Sequence, residues 1–339
     1  MMRKKTEIPQ IDLEEEFKKL ADVIHTANTF FLAGHLNPDG DTIGSMLAIW
    51  SVLKRMGKKV TIFSQDPVPQ NLNFLPNTCH IISKLPRRKF DAAILLECST
   101  PSRGGSLEPV LKKCGTVVNI DHHKTSEFYG NINIVESTAS STAEIVYRLF
   151  YSMKIEINKQ EATYLYVGMV TDTGRFMYSA TSARTMEVAS RLMATGFKFY
   201  RINEFIFSTK PKEHLKILGR AMESMEFKAG GKLALITVTK QDFKDYGANP
   251  EHTEGIINYG LMPHSVQVVV MFREEESRVN VTFRSKGLLD VALVAKHFGG
   301  GGHKQASGCK IQASLQEAQE AVTAYVLEKI AASKKLTNA

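Results

Sequence analysis

The chain has 339 residues, 43% of them hydrophobic and 23% charged, with a formal net charge of +8. That length exceeds one typical core, so two domains are expected, and no apolar run approaches the ~20 residues that span a bilayer. The charge suits a polyanionic partner. Its basic residues are scattered in groups (Lys58-Lys59, Arg87-Arg88-Lys89, Lys112-Lys113, Lys334-Lys335), which argues against long duplex binding.

The basic N-terminus, Met1 to Lys5, is followed by polar residues and Pro9, not by an apolar signal-peptide core. Cys79, Cys98, Cys114 and Cys309 form no disulfide or zinc framework, so a reducing, cytoplasmic setting is expected. Cys98 reads as a core filler despite adjoining Glu97.

Asp12 to Asn28 has helical periodicity, and Thr29 to Gly34 reads as a buried strand. A helix then opens at Asp41, with Ile43, Met46, Leu47, Trp50 and Leu53 at helical spacing, and Gly57 ends it. Strands follow at Lys59 to Phe63, Asp91 to Leu96 and Thr116 to Ile120, and a helix-like stretch at Gln160 to Thr171. This alternation predicts an α/β fold, a parallel sheet covered by helices. Ser182 to Ala194 and Lys212 to Phe227 are helical around a connecting region, and Gly230-Gly231 is a turn. Strands at Lys232 to Thr239, Ser265 to Arg273 and Arg278 to Arg284, with helices at Leu289 to Phe298 and Leu315 to Ala332, predict a smaller α+β C-terminal domain joined by a helical linker. Ser333 to Ala339 is expected to be a frayed tail. The domain boundaries are placed at 1–196, 197–227 and 228–339.

Polar residues cluster just beyond the strands. His35, Asp39 and Asp41 follow the first, Glu97 a later one, and Asp121-His122-His123 another. Ligands of open α/β sheets bind outside the carboxyl ends of the strands, so these segments converge for a topological reason. Asp172, after a helical stretch, can reach the same edge. Imidazoles mixed with carboxylates suit Mn²⁺ or a similar ion. Two such ions would share a bridging hydroxide and neutralise phosphoryl oxygens, with Glu97 or Asp172 able to bridge. His122 is the expected imidazole ligand, leaving His123 to meet a phosphate oxygen or protonate a leaving group. Asp41 alone could be read as a helix N-cap.

In the smaller domain, Arg284-Ser285-Lys286 offers cations for phosphate. Gly299-Gly300-Gly301-Gly302-His303 removes the β-carbons that keep an anion from backbone amides. Together these read as a phosphate or nucleotide clamp.

In order and residue type, His35-x-x-x-Asp39-x-Asp41, Asp121-His122-His123, Asp172-Thr173-Gly174, Arg284-Ser285-Lys286 and Gly299 to His303 resemble the motifs of the DHH phosphoesterases and their associated C-terminal domain, over nearly the whole chain. The resemblance is to the stand-alone, NrnA-like subgroup, which cuts very short oligonucleotides and dephosphorylates pAp. It implies a DHH domain whose His35 and Asp39 hold one manganese, with Asp41, His122 and Asp172 holding mostly the other. Two Mn²⁺ are expected, with Mg²⁺ or Co²⁺ as substitutes. The family usually supplies a bridging Asp where this chain has Glu97. Asp121 and His123 are the candidate catalytic pair, and Arg103 a candidate phosphate contact. Ser141-Thr142-Ala143-Glu144 also resembles a family segment, read here as a helix cap.

The function implied is a manganese-dependent phosphodiesterase acting on very short oligonucleotides, and on pAp. The C-terminal domain would hold the distal phosphate and base, and a homodimer is compatible. Cyclic-di-AMP, pApA or pGpG hydrolysis is an alternative within the same chemistry. A nucleotide-binding regulator without turnover is the alternative of another class, motivated by Glu97. A RecJ-like nuclease lacks chain for a further single-strand-binding domain, and the glycine-rich C-terminal domain argues against a pyrophosphatase.

Overall fold

The computed structural model describes residues 12–337, excepting the side chains of His303 and of 334–337. The basic N-terminus and the side chains of Lys334-Lys335 lie outside the described residues. The chain forms two compact units that divide between Thr209 and Lys210.

The first unit is built on β1 (Thr29–Ala33), β2 (Lys59–Phe63), β3 (Ile81–Ile82), β4 (Phe90–Leu96), β5 (Cys114–Asp121) and β6 (Ile132–Val135). All pair in parallel, in the order β3-β2-β1-β4-β5-β6. The order reverses between β1 and β4, which is the switch point where open parallel sheets place their ligands. His35 and Glu97 leave the carboxyl ends of those two neighbouring strands.

Around the sheet run α1 (Leu13–Thr26), α2 (Gly40–Arg55), α3 (Glu108–Leu111), α4 (Thr142–Ser152), α5 (Lys159–Asp172), α6 (Ala183–Ala194) and α7 (Phe199–Asn203). Residues of one parity (Phe30, Leu32, Ala92, Ile94, Leu96) pack into a core with α1, α2, α4 and α5. Those of the other (Phe31, Ala33, Ala93, Leu95) pack with Leu107 and Val110. Both faces are covered, which is why the strands read as unbroken apolar runs. Close approach of α2 to α5 depends on Gly44, where a β-carbon would lie 2.3 Å from the Tyr164 carbonyl oxygen.

The second unit pairs β7 (Glu226–Lys228), β8 (Leu233–Val238), β9 (Val268–Glu274), β10 (Val279–Ser285), β11 (Gly301–His303) and β12 (Ala306–Ile311) in the order β11-β12-β10-β9-β8-β7. Only β8 and β9 are parallel. Its helices are α8 (Lys212–Glu223), α9 (Lys240–Tyr246), α10 (Ile257–Gly260), α11 (Val291–His297) and α12 (Leu315–Thr337). Val291, Val294, Val322 and Val326 cover one face, and Ile217, Ala221, Ile256 and Ile257 the other.

Two expectations need correction. The helix read as Lys212 to Phe227 stops at Glu223, and Phe227 instead pairs with Ala234 in an edge strand. Ser224 makes the break, its Oγ accepting the Thr237 amide at 2.9 Å. The tail read as frayed from Ser333 to Ala339 is helical as far as Thr337, as Lys334, Lys335 and Leu336 favour, and residues 338–339 lie outside the described residues. No helix among the described residues is long and apolar enough to cross a membrane.

Candidate metal centre

The loop after β1 is shaped by its own hydrogen bonds. Leu36 N–H donates to the Arg103 carbonyl at 2.7 Å, and His35 Nδ1 lies 2.7 Å from the Leu36 carbonyl. A carbonyl only accepts, so Nδ1 carries the proton and Nε2 is the free lone pair, 3.6 Å from Asp39 Oδ2. Asp39, not Asp41, is the N-cap of α2, its Oδ1 accepting the Thr42 amide at 2.9 Å. Asp41 sits in the first turn, fully buried.

The N-terminus of α4 meets Asp41. The amides of Thr142 and Ala143 donate to Oδ2 and Oδ1 at 2.6 and 2.9 Å, and the Ser45 hydroxyl lies 3.2 Å from Oδ1. Unpaired helix-terminal amides and the helix dipole both favour a carboxylate here. The Thr142 hydroxyl bonds Glu97 Oε1. Ser141 does cap the helix, accepting the Glu144 amide at 3.1 Å, but Thr142 beside it braces two candidate ligands. That role escaped sequence reasoning, because Thr142 is 101 positions from Asp41 and only folding brings them together.

Glu97 follows β4 with its amide donating to the Ile120 carbonyl at 3.1 Å and a left-handed φ of 62°. Such a backbone costs a non-glycine residue roughly 1–2 kcal/mol. His122 Nε2 lies 3.6 Å from Glu97 Oε1 and 3.3 Å from Asp172 Oδ2. His123 Nδ1 stands 2.7 Å from Asp121 Oδ1, which leaves Nε2 as its remaining polar atom. Among the described residues, donor atoms gather in three groups, each within 4.8 Å: His35, Asp39 and Glu97; Asp41, His122 and Asp172; and Glu97, His122 and His123. Glu97 and His122 each belong to two.

The electrostatics are those of a crowded acidic site. Burial, and then the neighbouring Asp41, pushes Glu97 well above the usual carboxylate range and Asp172 up to about 7. Asp172 is also the last residue of α5, where the helix dipole disfavours an anion. Burial likewise raises Asp41. For His122 burial acts downward, but Glu97, Asp172 and Asp41 outweigh it and carry the imidazole to about 11. Burial would raise Asp121, but its bond to His123 holds it below the ordinary value. Among the described residues, buried Asp121 Oδ2 has no hydrogen-bond partner, and His122 Nε2 faces the Glu97 and Asp172 carboxylates without a formed hydrogen bond. Orphaned donor atoms among carboxylates that resist ionisation fit divalent cations, which neutralise such a cluster.

Past Asp172 the backbone turns left-handed over Gly174, Arg175 and Phe176, with φ of 54°, 62° and 64°. Arg175 lies over the Phe207 ring at 4.2 Å, and the amides of Met177 and Tyr178 both lie 3.0 Å from the Thr173 carbonyl. Sequence reasoning assigned this segment nothing beyond the glycine. Arg103 stands exposed on a 3-10 turn, without an ion pair among the described residues. Burial and, more weakly, the Arg103 charge act downward on the His35 pKa, but Asp39 and the Leu36 carbonyl outweigh them and raise it. Cys98 is fully buried in the core beside β4, as a filler should be.

In the second unit, Arg284 and Ser285 end β10 and Lys286 follows. Arg284 donates to the Phe283 carbonyl at 3.0 Å, and Lys286 Nζ to the Pro263 carbonyl at 3.2 Å. The Ser285 hydroxyl accepts the amides of Gly287 and Leu289 at 3.0 and 3.3 Å, shaping the turn. Part of the glycine run is a strand. Gly301 and Gly302 pair with Gly308 and Ser307, and a β-carbon at Gly300 would lie 2.2 Å from the Gly308 carbonyl oxygen. Gly300 and Gly302 permit close approach to β12, whereas a β-carbon at Gly301 would meet nothing within 4 Å. The His303 side chain lies outside the described residues.

Comparison with known proteins is consistent along the chain. The family model described as the DHH family, N-terminal domain, matches residues 29–169, and the DHHA1 domain matches 230–328. The bifunctional oligoribonuclease and PAP phosphatase NrnA of Thermus thermophilus is 31% identical over 93% of this chain and 95% of its own. The Bacillus subtilis protein of the same name is 26% identical over 86% of this chain and 92% of its own. The crystal structure of an exopolyphosphatase-related protein from Bacteroides fragilis superposes with a TM-score of 0.88 at 25% identity, covering 96% of this chain and 98% of that one.

Proposed function

The chain belongs to the DHH family of phosphoesterases, and we propose that it is a manganese-dependent phosphodiesterase that degrades oligonucleotides of a few residues and removes the 3′-phosphate of pAp. The observation that carries this reading is the sharing of Glu97 and His122 between the donor groups, which suits two cations side by side. The relatives that match nearly end to end carry both activities in their names.

His35 and Asp39 would hold one cation, Asp41, His122 and Asp172 the other, with Glu97 between them. Mn²⁺ suits this mixed nitrogen and oxygen set, and Mg²⁺ or Co²⁺ can substitute. A bound divalent cation supplies Lewis-acid charge to phosphoryl oxygens and makes water nucleophilic near neutral pH. The protein's own groups do the rest. Asp121 fixes the His123 ring through Nδ1, so that Nε2 can hold a proton for the leaving oxygen. Arg103 reaches a phosphate oxygen at the rim. Arg284 and Lys286 bind a further phosphate, on a turn held by Ser285, with the Gly299 to His303 hairpin beside them in the role of backbone clamp. The four free thiols fit a reducing compartment, the cytoplasm.

The test is a Mn²⁺-dependent time course on 5′-labelled RNAs of two to seven nucleotides, with pAp, pApA, pGpG and cyclic-di-AMP alongside. Preferential loss of the shortest RNAs together with pAp supports the proposal. Loss of a cyclic or linear dinucleotide alone moves the assignment to signalling nucleotides. Nucleotide binding without turnover makes the protein a regulator.

A further inference from the structure

We propose that Tyr178 is a stacking platform for a nucleobase attached to the phosphate that reaches the Asp172 side of the metal centre. The inference rests on the proposed function and adds to it how the substrate's base is held.

Three observations carry it. First, the Tyr178 ring lies flat against the Gly174 backbone. A β-carbon at Gly174 would fall 2.4 to 2.6 Å from three ring atoms, so the glycine is what lets the ring settle there. Gly174 is two residues from Asp172, which places the ring at the border of the donor cluster. Second, beyond its contact with Gly174 the ring is largely open to solvent. Tyr178 is 57% exposed and Met177 75% exposed, and neither belongs to the hydrophobic cores. Third, the segment that carries them is over-determined. Three successive left-handed residues, an arginine stacked on Phe207 and two amides converging on one carbonyl hold a conformation that the chain would not adopt unaided. A soluble fold gains nothing by rigidly presenting a thioether and a phenol ring to water. A nucleic-acid substrate gains a π-face, because stacking on an aromatic ring accepts any base. The adjacent Met177 thioether widens the apolar surface, and its polarizable sulfur suits a ring edge.

This reading commits the subsite to sequence-tolerant recognition. Adenine, guanine and pyrimidine substrates should share the contact, with purines gaining more through larger area. It also separates base binding from chemistry, since Tyr178 reaches no reacting atom and should act on affinity.

The test uses the full chain loaded with Mn²⁺ and compares Tyr178→Ala with Tyr178→Phe. Binding of AMP and of ribose 5-phosphate is measured by titration calorimetry, and KM and kcat are measured on pApA. Removing the ring should weaken AMP binding about tenfold and raise KM similarly, with kcat nearly unchanged. Ribose 5-phosphate binding should not change, and Tyr178→Phe should behave as the parent. Equal weakening of both ligands, or no weakening of AMP, overturns the platform. If the parent hydrolyses no nucleotide, the proposed function falls, yet the contrast between AMP and ribose 5-phosphate still decides this inference.

Discussion

The amide of Thr142 stands 2.6 Å from Oδ2 of Asp41, so the first turn of α4 grips a carboxylate carried by α2. The same threonine bonds Glu97 through its hydroxyl. One residue therefore ties a candidate ligand of each cation to a helix end. Thr142→Val keeps the amide and the volume but leaves Glu97 without its donor. Hydrogen bonds to charged groups contribute about 1.5–3 kcal/mol, and loss of such a brace typically costs about 10–100-fold in metal affinity or activity. We expect that loss in Mn²⁺ affinity by calorimetry, with far-UV circular dichroism unchanged. Thr142→Ser should recover most of it; full affinity in the valine variant would dismiss the brace.

Gly168 supports the same carboxylate from α5. A β-carbon there would lie 2.6 Å from Asp41 Oδ1 and 2.6 Å from the Ala143 β-carbon. Gly168→Ala should destabilise the first unit by about 1–3 kcal/mol through overpacking and reduce activity by displacing Asp41. Gly219, within α8, is the control, since a β-carbon there would meet nothing within 4 Å. Gly219→Ala should stabilise the second unit by roughly 0.5–1 kcal/mol. Urea denaturation followed separately for each unit measures both.

Cation binding should depend on pH with a definite sign. Asp172 is raised to about 7 from its ordinary carboxylate value, so without metal its contribution to stability is present at low pH and lost as pH rises through about 7. His122, raised to about 11, also holds a proton at neutral pH that a cation must displace. Metal binding thus releases protons. The rise in Tm produced by saturating Mn²⁺ should grow between about pH 6 and 8, and a chelator should abolish it. A rise independent of pH would contradict the assignment of these two residues as ligands.

Behind the site, Glu144 is fully buried, accepting from the Ser140 and Thr185 hydroxyls at 2.7 and 2.8 Å and from Arg184 Nε at 2.6 Å. Burial acts upward on its pKa, but these donors outweigh it and hold the carboxyl below its ordinary value. A depressed carboxylate stabilises the fold above its unfolded pKa, about 4.3, and that stability disappears as pH falls through the lower folded value. Glu144→Gln should therefore lower Tm at neutral pH and flatten the acid limb of a melting profile. A parallel shift at every pH would show that the charge plays no part.

The candidate site was legible in the sequence wherever chemistry and topology act locally. Apolar runs that end in His35, Glu97 or Asp121 reveal strand ends, because a buried parallel strand must be apolar and the first polar residue marks its exit. Residue types alone pointed to the candidate donor set, since imidazoles mixed with carboxylates suit a divalent transition-metal ion. Other features depend on contacts between distant segments. Thr142 looks like part of a cap until α4 is placed against α2. Asp41 reads as a cap until the turn shows Asp39 accepting the Thr42 amide. The glycine run suggests an anion loop, but only the fold shows that Gly302 also needs bare backbone for its pairing with β12. Tyr178 carries no local signal at all, because its significance lies in the face it turns away from the Gly174 backbone. The sequence by itself determined which metal-ligating and proton-transferring residue types are present and near which strand ends they fall. Only the tertiary structure decided which groups share a ligand, which are braced and which are left open, because those relations depend on packing across roughly a hundred positions of chain.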